Sequence, residues 1–160
     1  MKPDQMTKAW FTGQVIQHQT ALFRTARAIL SSDADAEDAV QEAILSAYTR
    51  LDTLRDPEKF KPWLLRILVN QCRTLRRRER PTVDLWEVAE VLPAEGRDTA
   101  ETLTLRQAVE QLSPELRAVI TLFYYEDFTV RQIARTLSLS ETAVKTRLSR
   151  GRERLRRMMS

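Results

Sequence analysis

The 160-residue sequence holds little of the material from which many functional sites are built: one cysteine, one histidine and three glycines. A lone Cys72 excludes an intramolecular disulfide framework, and Cys72 with His18 gives no cluster for a metal or a thiol–imidazole pair. We therefore interpret both as ordinary structural residues. No apolar run approaches the roughly 18 residues of a membrane span, and the N-terminus lacks a signal-peptide core. These absences favour a soluble cytoplasmic protein with no metal or cofactor.

Charge of both signs is abundant but segregated along the chain. The formal net charge is +4, from 26 Lys and Arg against 22 Asp and Glu. Basic residues concentrate in 66–80 and 145–157, whereas acidic residues dominate 33–42 and 84–101. Because segregated charges form separate surfaces, we expect separate partners, a polyanion among them.

Apolar residues recur at spacings of three and four almost everywhere, and no alternating strand pattern stands out. The sequence therefore predicts an all-α fold of two small helical domains joined by an acidic flexible linker. The first domain is expected over 1–80 and the second over 102–160. Proline and glycine interrupt the pattern in the linker, 81–101.

Capping residues place the helices of the first domain. A first helix is expected over Thr7–Leu30, with an irregular start around Gly13. The second follows "SSDADAED", which supplies cap oxygens and first-turn negative charge. A third opens with Asp56 as cap and Pro57 at its first position, where the missing N–H costs nothing, and Pro81 stops it.

In the second domain a helix is predicted before "SPEL", and another begins there with Ser113 as cap and Pro114 first. The first of these is expected to pack through Leu105, Ala108, Val109 and Leu112. The next is expected to bury Leu116, Val119, Ile120 and Phe123.

The stretch "TVRQIARTLSLSETAVKTRLSR" predicts a helix-turn-helix. Thr129 and Gln132 have capping-box spacing, and Val144 and Leu148 form the inner face of the second helix. Many such units have glycine at the sharp turn, where this chain has Ser138, so a positive φ there would cost backbone energy. The first helix is expected to pack through Ile133, Ala134 and Leu137.

The outward face of the second helix is predicted to enter a major groove of DNA. Hydrogen-bonding side chains suited to base edges are expected at Thr142, Lys145, Thr146, Ser149 and Arg150. Arg147 and the arginines after Arg150 flank this face, where contact with phosphates is expected. Gly151 falls on the inner side, and we interpret it as a concession to close packing.

Two faces of the first domain carry opposite charge. The basic third helix suits single-stranded nucleic acid, which needs cations for phosphates and a flat side chain for bases; Trp63 could equally belong to the core. Its candidate residues are Lys61, Trp63, Arg66, Asn70, Arg73, Arg76 and Arg77. The second helix shows Asp38, Gln41 and Glu42, either a solvated face or, because apolar Leu45 lies off the core stripe, a docking site for protein.

These motifs, in this order, resemble the extracytoplasmic-function (ECF) class of the sigma-70 family of RNA polymerase sigma factors. "DAEDAVQEAILSAY" is similar to region 2.2 and "FKPWLLRILVNQCRTLRRR" to regions 2.3 and 2.4. The stretch from "LSPELRAV" to "GRERLR" is similar to region 4. The resemblance covers nearly the whole chain.

The resemblance implies a sigma factor that binds core RNA polymerase and directs promoter-specific initiation without catalytic residues of its own. Region 2.2, here Asp38, Gln41, Glu42 and Leu45, would dock on polymerase. Regions 2.3 and 2.4, the basic third helix, would recognise the melted −10 element, and region 4 the duplex −35 element. It also implies an anti-sigma protein as a partner.

Two alternatives remain open at this point. A stand-alone helix-turn-helix regulator would bind duplex DNA without polymerase, but it would leave Leu45 and the basic third helix without a task. An enzyme such as a DNA recombinase would need a catalytic domain, normally on an α/β scaffold, and the first 80 residues show no strand pattern.

Overall fold

The computed structural model describes residues 7–79 and 104–160, and throughout these two stretches the regular structure is helical, which confirms the all-α prediction. The chain forms two compact units, Met1–Pro81 and Thr82–Ser160. The predicted linker, 81–101, and the predicted stop at Pro81 lie outside the described residues. Across the described stretches, no helix combines the length and apolarity that a membrane crossing requires.

The first unit contains four α-helices and two short 3₁₀ turns in its described part. The helices are α1 (Lys8–Gln17), α2 (Gln19–Ile29), α3 (Asp33–Thr49) and α4 (Phe60–Glu79), and the turns are Leu51–Thr53 and Pro57–Lys59. Ser32 Oγ accepts the Asp35 N–H at 3.0 Å and caps α3. Asp56 Oδ1 accepts the Glu58 N–H at 3.0 Å, so the predicted Asp56–Pro57 start is confirmed, with a 3₁₀ turn leading into α4.

The predicted irregularity around Gly13 is wrong in position, because the helix breaks at His18 instead. Gly13 continues α1, whereas His18 leaves helical geometry with φ −106° and ψ 10°. The His18 ring contacts the backbone oxygen of Gln14 at 2.8 Å and packs 5.8 Å from the Phe60 ring. The break turns α1 so that Phe11 also packs against Phe60, at 5.9 Å.

A stripe of alanines lets α3 approach its neighbours closely. Ala36, Ala39, Ala43 and Ala47 are fully buried. The large apolar side chains buried on α2 and α4 include Leu22, Ile29, Leu64, Leu68 and Val69. Burying each large side chain contributes about 1.5–3 kcal/mol, which is what keeps three helices together in so small a unit. Cys72 lies in this core, and burial raises its pKa to about 12, so it is a packing residue as the sequence suggested.

The second unit contains four α-helices in its described part. They are α5 (Leu105–Glu110), α6 (Pro114–Ile120), α7 (Val130–Leu137) and α8 (Glu141–Met159), with a wider, π-type turn over Thr121–Tyr125 after α6. The predicted cap at Ser113 and the capping box of Thr129 with Gln132 are confirmed. Ser140 Oγ accepts the Ala143 N–H at 3.0 Å and caps α8.

Two predicted core positions in this unit are wrong. Leu105 is 52% exposed, because as the first residue of α5 it lies where the helix has not yet reached the core. Phe123 is only half-buried. The wide turn is the reason, since it brings Leu122 into full burial and leaves Phe123 at the boundary.

The helix-turn-helix packs as predicted. Ile133, Leu137, Val144 and Leu148 are buried, and Leu139 is half-buried in the turn. Ser138 adopts the left-handed region, with φ 56° and ψ 48°. The Leu139 N–H then donates to the Ala134 carbonyl at 2.9 Å and closes α7. The positive φ anticipated for this non-glycine residue is therefore present.

Candidate nucleic-acid and protein interfaces

The outer face of α8 is a continuous polar stripe. Its exposed members are Thr142, Lys145, Thr146, Ser149 and Arg150, the five residues predicted to face a major groove. They recur at helical spacing, so their side chains share one side of the helix. Val144 and Leu148 are fully buried on the other side. Hydroxyl and cationic donors held in this way can address base edges and phosphates together.

Arg147 does not belong to this stripe, although its sequence position suggested DNA contact. Its Nε lies 2.8 Å from Glu115 Oε1 on α6, and the two side chains are 21% and 7% exposed. The guanidinium is therefore directed toward the interior of the unit. Sequence periodicity could not reveal this, because the partner is on another helix.

The arginines after the stripe also have protein partners. Arg152 Nε donates to the Tyr124 hydroxyl at 2.6 Å, and its guanidinium lies 5.6 Å from the ring centroids of both Phe123 and Tyr124. Arg156 and Arg157 both pair with Glu153. Part of the basic run thus stabilises the C-terminal half of α8, which reduces the charge that it can offer to phosphates.

The basic face of α4 divides into exposed and half-buried side chains. Arg66, Asn70 and Arg77 are exposed. Lys61, Trp63, Arg73 and Arg76 are half-buried. The structure thus places all seven predicted residues on one helix, with the exposed ones most accessible to a nucleic acid.

Trp63 lies at the boundary between core and surface. Its indole Nε1–H donates to Thr53 Oγ1 at 3.2 Å, and its ring lies 5.7 Å from the Phe60 ring. The Thr53 hydroxyl in turn donates to the Arg50 carbonyl at 2.7 Å. The indole is thus held against the loop before α4 while part of it remains accessible, which fits either of the two roles that the sequence left open.

Arg76 has a structural contact that the sequence did not reveal. Its Nη1 donates to the carbonyl of Ile29 at 3.0 Å, at the C-terminal end of α2. A cation in this position satisfies a carbonyl that the helix itself leaves without a partner. Arg76 therefore ties α4 to α2, whatever else it contacts.

The outer face of α3 combines acids with exposed apolar side chains. Asp38, Gln41 and Glu42 are exposed, and Leu45 is 63% exposed. Tyr48, which sequence reasoning missed, is 46% exposed and extends the same face, since it lies one helical turn beyond Leu45. Its ring also contacts Phe11 at 5.3 Å. Two large apolar side chains in an acidic setting form the kind of surface that binds protein.

Comparison with known proteins finds two family models that match this chain, one toward its N-terminus and one toward its C-terminus. The family model described as Sigma-70 region 2 matches residues 15–82, and the one described as Sigma-70, region 4 matches residues 102–155. The chain is 31% identical to RNA polymerase sigma factor SigV of Bacillus subtilis, over 98% of this chain and 95% of SigV. It is 34% identical to ECF RNA polymerase sigma factor SigM of Mycobacterium tuberculosis, over 89% of this chain and 74% of SigM.

A solved structure has the same fold. Sigma factor RpoE of Bartonella quintana, determined in complex with the anti-sigma factor NepR, is similar with a TM-score of 0.72 and 24% identity. The match covers 92% of this chain and 95% of RpoE. On the sequence relationships and both domain matches, the chain belongs to the ECF class of the sigma-70 family of RNA polymerase sigma factors.

Proposed function

We propose that this chain binds core RNA polymerase and directs promoter-specific initiation by recognising −10 and −35 elements. The observation that carries the proposal is the acidic face of α3, on which Leu45 and Tyr48 are exposed. A regulator that acted on duplex DNA alone would have no use for an apolar protein-binding face beside a basic helix. The family relationship supports the same conclusion.

Polymerase docking is assigned to α3. Leu45 supplies an apolar anchor, and Asp38, Gln41 and Glu42 surround it with acceptors. Such an arrangement suits a partner surface with an apolar pocket and a basic rim, because a buried centre provides affinity while rim charges set orientation and association rate.

Recognition of DNA is assigned to two helices in two domains. We assign −35 recognition to residues 102–160, through the exposed stripe of α8, and −10 recognition to residues 1–80, through α4. A base flipped from the −10 duplex costs a few kcal/mol of unstacking. A half-exposed Trp63, held by Thr53, together with exposed Arg66 and Arg77, supplies stacking and phosphate contacts that offset this cost. Residues 81–101 connect the two domains.

We further propose that the chain performs no chemical step itself. Nucleotidyl transfer belongs to the polymerase, and the contribution of this chain is differential binding of promoter sequences. The assigned side chains bind and orient: cations contact phosphates, hydroxyls contact base edges, and the acidic face contacts protein.

A partner that restrains the protein is also proposed, on the ground that a structure with this fold holds an anti-sigma factor. The polymerase-docking face of α3 is an accessible target for it. Such a partner would compete with polymerase, so its addition should release the chain from core enzyme in a binding assay.

The docking assignment is tested with Leu45→Ala and a matched control, Ile16→Ala. Ile16 is 60% exposed, much as Leu45 is, but it lies on α1 and not on α3. Truncating a central anchor costs roughly 1–2 kcal/mol, so Leu45→Ala should bind core polymerase about tenfold more weakly. Ile16→Ala should bind as the wild type does. Affinity is measured by fluorescence anisotropy of labelled full-length chain.

The same holoenzymes are then used for run-off transcription from a library of randomised promoters. Wild-type holoenzyme should initiate at a defined subset, and Leu45→Ala should initiate at the same subset with lower yield. Equal polymerase affinity for Leu45→Ala and wild type would contradict the docking assignment. Tight duplex binding by the free chain, with no association with polymerase, would favour the stand-alone regulator.

A further inference from the structure

An ion pair that is buried at Glu115 and half-buried at Arg147 connects α8 to α6. Arg147 Nε and Glu115 Oε1 are 2.8 Å apart, with side chains only 21% and 7% exposed. We propose that Glu115 is a positioning residue for −35 recognition: through Arg147 it fixes the rotation of α8 and thereby the direction in which the exposed stripe meets DNA. This proposal rests on the proposed function, since it concerns the same helix.

The pair is well placed to control rotation. Arg147 lies within the stretch that carries the stripe, between Thr146, which is exposed, and Leu148, which is buried. Successive side chains on an α-helix are about 100° apart around the axis. A fixed contact at Arg147 therefore sets the angular position of Thr146, and with it that of Lys145 and Ser149.

Two further contacts hold α8 against the rest of the unit. At Gly151 the backbone comes so close to α6 that an added Cβ would lie 2.8 Å from Ile120 Cγ1. Arg152 Nε donates to the Tyr124 hydroxyl at 2.6 Å. These contacts hold the C-terminal half of α8, whereas Arg147 makes its contact with α6 within the stretch that carries the stripe. Removing one member of an ion pair this far from solvent is strongly destabilising, so we expect α8 to shift when the pair is lost.

A positioning role and a purely electrostatic role predict opposite changes in DNA affinity when the charge of Glu115 is removed. If only charge mattered, removing a carboxylate from a DNA-binding unit would raise affinity, because repulsion of phosphates would fall. Positioning predicts lower affinity. At Arg147 the salt dependence separates the two cases: losing one phosphate contact lowers the log–log slope by about 0.9, whereas losing a positioning contact leaves the slope unchanged.

The test uses full-length chain reconstituted with core RNA polymerase. The probe is duplex DNA that the wild-type holoenzyme selects from a library randomised across the −35 positions. Affinities are measured at several salt concentrations. The variants are Glu115→Gln, Arg147→Gln, Arg147→Lys and the Glu115→Gln/Arg147→Gln double variant. Glu110→Gln removes a carboxylate from an exposed position on α5, and Lys145→Gln removes a cation from the stripe.

Glu115→Gln and Arg147→Gln should each weaken binding about tenfold, roughly the loss of one base contact, with an unchanged salt slope. The double variant should bind no more weakly than either single variant, because both act through one pair. Arg147→Lys should recover most of the affinity. Glu110→Gln should not weaken binding, whereas Lys145→Gln should lower the slope by about 0.9. A repeated selection with Glu115→Gln should return a broader set of −35 sequences.

Three results would overturn the proposal. A lower salt slope for Arg147→Gln, like that for Lys145→Gln, would make Arg147 a phosphate contact. Wild-type or higher affinity for Glu115→Gln would show that the pair does not position α8. If Glu115→Gln does not fold by circular dichroism, the double variant decides, and wild-type affinity there would count against positioning. Failure of the wild-type holoenzyme to select any −35 sequence would instead refute the proposed function, and this inference with it.

Discussion

At the scale of single residues, the backbone of Ser138 carries the clearest local cost. Its φ of 56° lies in the left-handed region, where a side chain costs about 1–2 kcal/mol and glycine costs little. The geometry persists because the turn between α7 and α8 requires it: the Leu139 N–H must reach the Ala134 carbonyl to close α7.

Ser138→Gly should therefore stabilise the protein by roughly 0.5 kcal/mol, since relief of strain exceeds the added entropy of the unfolded chain. Urea unfolding followed by circular dichroism measures the change. Ser149→Gly is the matched control: the same substitution in the middle of α8 should destabilise by about 0.5–1 kcal/mol. A loss of stability in Ser138→Gly would show that the serine side chain contributes something the backbone angles do not reveal.

Cys72 makes stability depend on alkaline pH. Burial raises the pKa of its thiol from 9.0 to about 12, so between these values the unfolded chain loses a proton that the folded chain keeps. Deprotonation then favours the unfolded state. Stability should be constant with respect to this group below pH 9 and should fall by up to about 1.4 kcal/mol per pH unit from pH 9 toward 12.

The check is the difference in unfolding free energy between wild type and Cys72→Ala, measured from pH 8 to pH 11. Every other ionisable group is common to the two proteins, so the difference isolates the thiol. The advantage of wild type over Cys72→Ala should shrink as pH rises. A difference that stays constant across this range would mean that the folded thiol ionises as readily as the unfolded one.

At the scale of elements, the close packing of α8 on α6 depends on glycine at position 151, because glycine has no side chain. A Cβ on Gly151 would lie 2.8 and 2.9 Å from Cγ1 and Cδ1 of buried Ile120. Gly151→Ala should destabilise by about 1 kcal/mol net, because overpacking costs roughly 1–3 kcal/mol and better helix propensity returns about 1. Thermal and urea unfolding measure this, and Ile120→Val should reduce the cost by removing Cδ1.

Gly13→Ala provides the comparison. Gly13 is also within a helix, but nothing lies within 4 Å of its added Cβ. The same substitution there should stabilise the protein by about 0.5–1 kcal/mol. If both substitutions stabilise, α8 is free to move away from α6, and the close approach at Gly151 is not a constraint.

Helix starts and buried faces were predictable from sequence because they are local. The caps at Ser113 and Thr129 and the inner faces of α7 and α8 each depend on residues within one or two turns. The break at His18 was not predictable, since it reflects packing of α1 on Phe60 from a distant part of the chain. The wide turn after α6 likewise has no local signal.

The candidate surfaces likewise include features that the sequence predicts and features that it does not predict. Exposure of Leu45 and of the α8 stripe followed from helical periodicity. The partners of Arg147 and Arg76 did not, because each contacts a helix remote in sequence. From sequence alone, an arginine at the edge of a basic face is interpreted as a nucleic-acid contact. Only the structure shows that its partner is a carboxylate or a carbonyl of the protein.

At the scale of the whole molecule, each unit has its own buried core, so each should fold alone. Fragments 1–81 and 82–160 should both show helical circular dichroism and a cooperative thermal transition. The N-terminal fragment should retain polymerase binding that Leu45→Ala weakens. The C-terminal fragment, which lacks Leu45, should not compete with the N-terminal fragment for its site on polymerase. A non-cooperative transition in either fragment would show that the two units depend on each other for stability.

In α8 the exposed polar residues and the residues that pack the helix occupy different positions, which affects how such a protein can evolve. Thr142, Lys145, Thr146 and Ser149 are exposed, while Val144, Leu148 and Gly151 keep the helix in place. Under the proposed function, most substitutions at the first group would alter promoter recognition with little effect on folding, so a duplicated gene could acquire a new set of promoters through a few tolerated mutations. Substitutions at the second group are filtered by stability before they can be tested on any promoter.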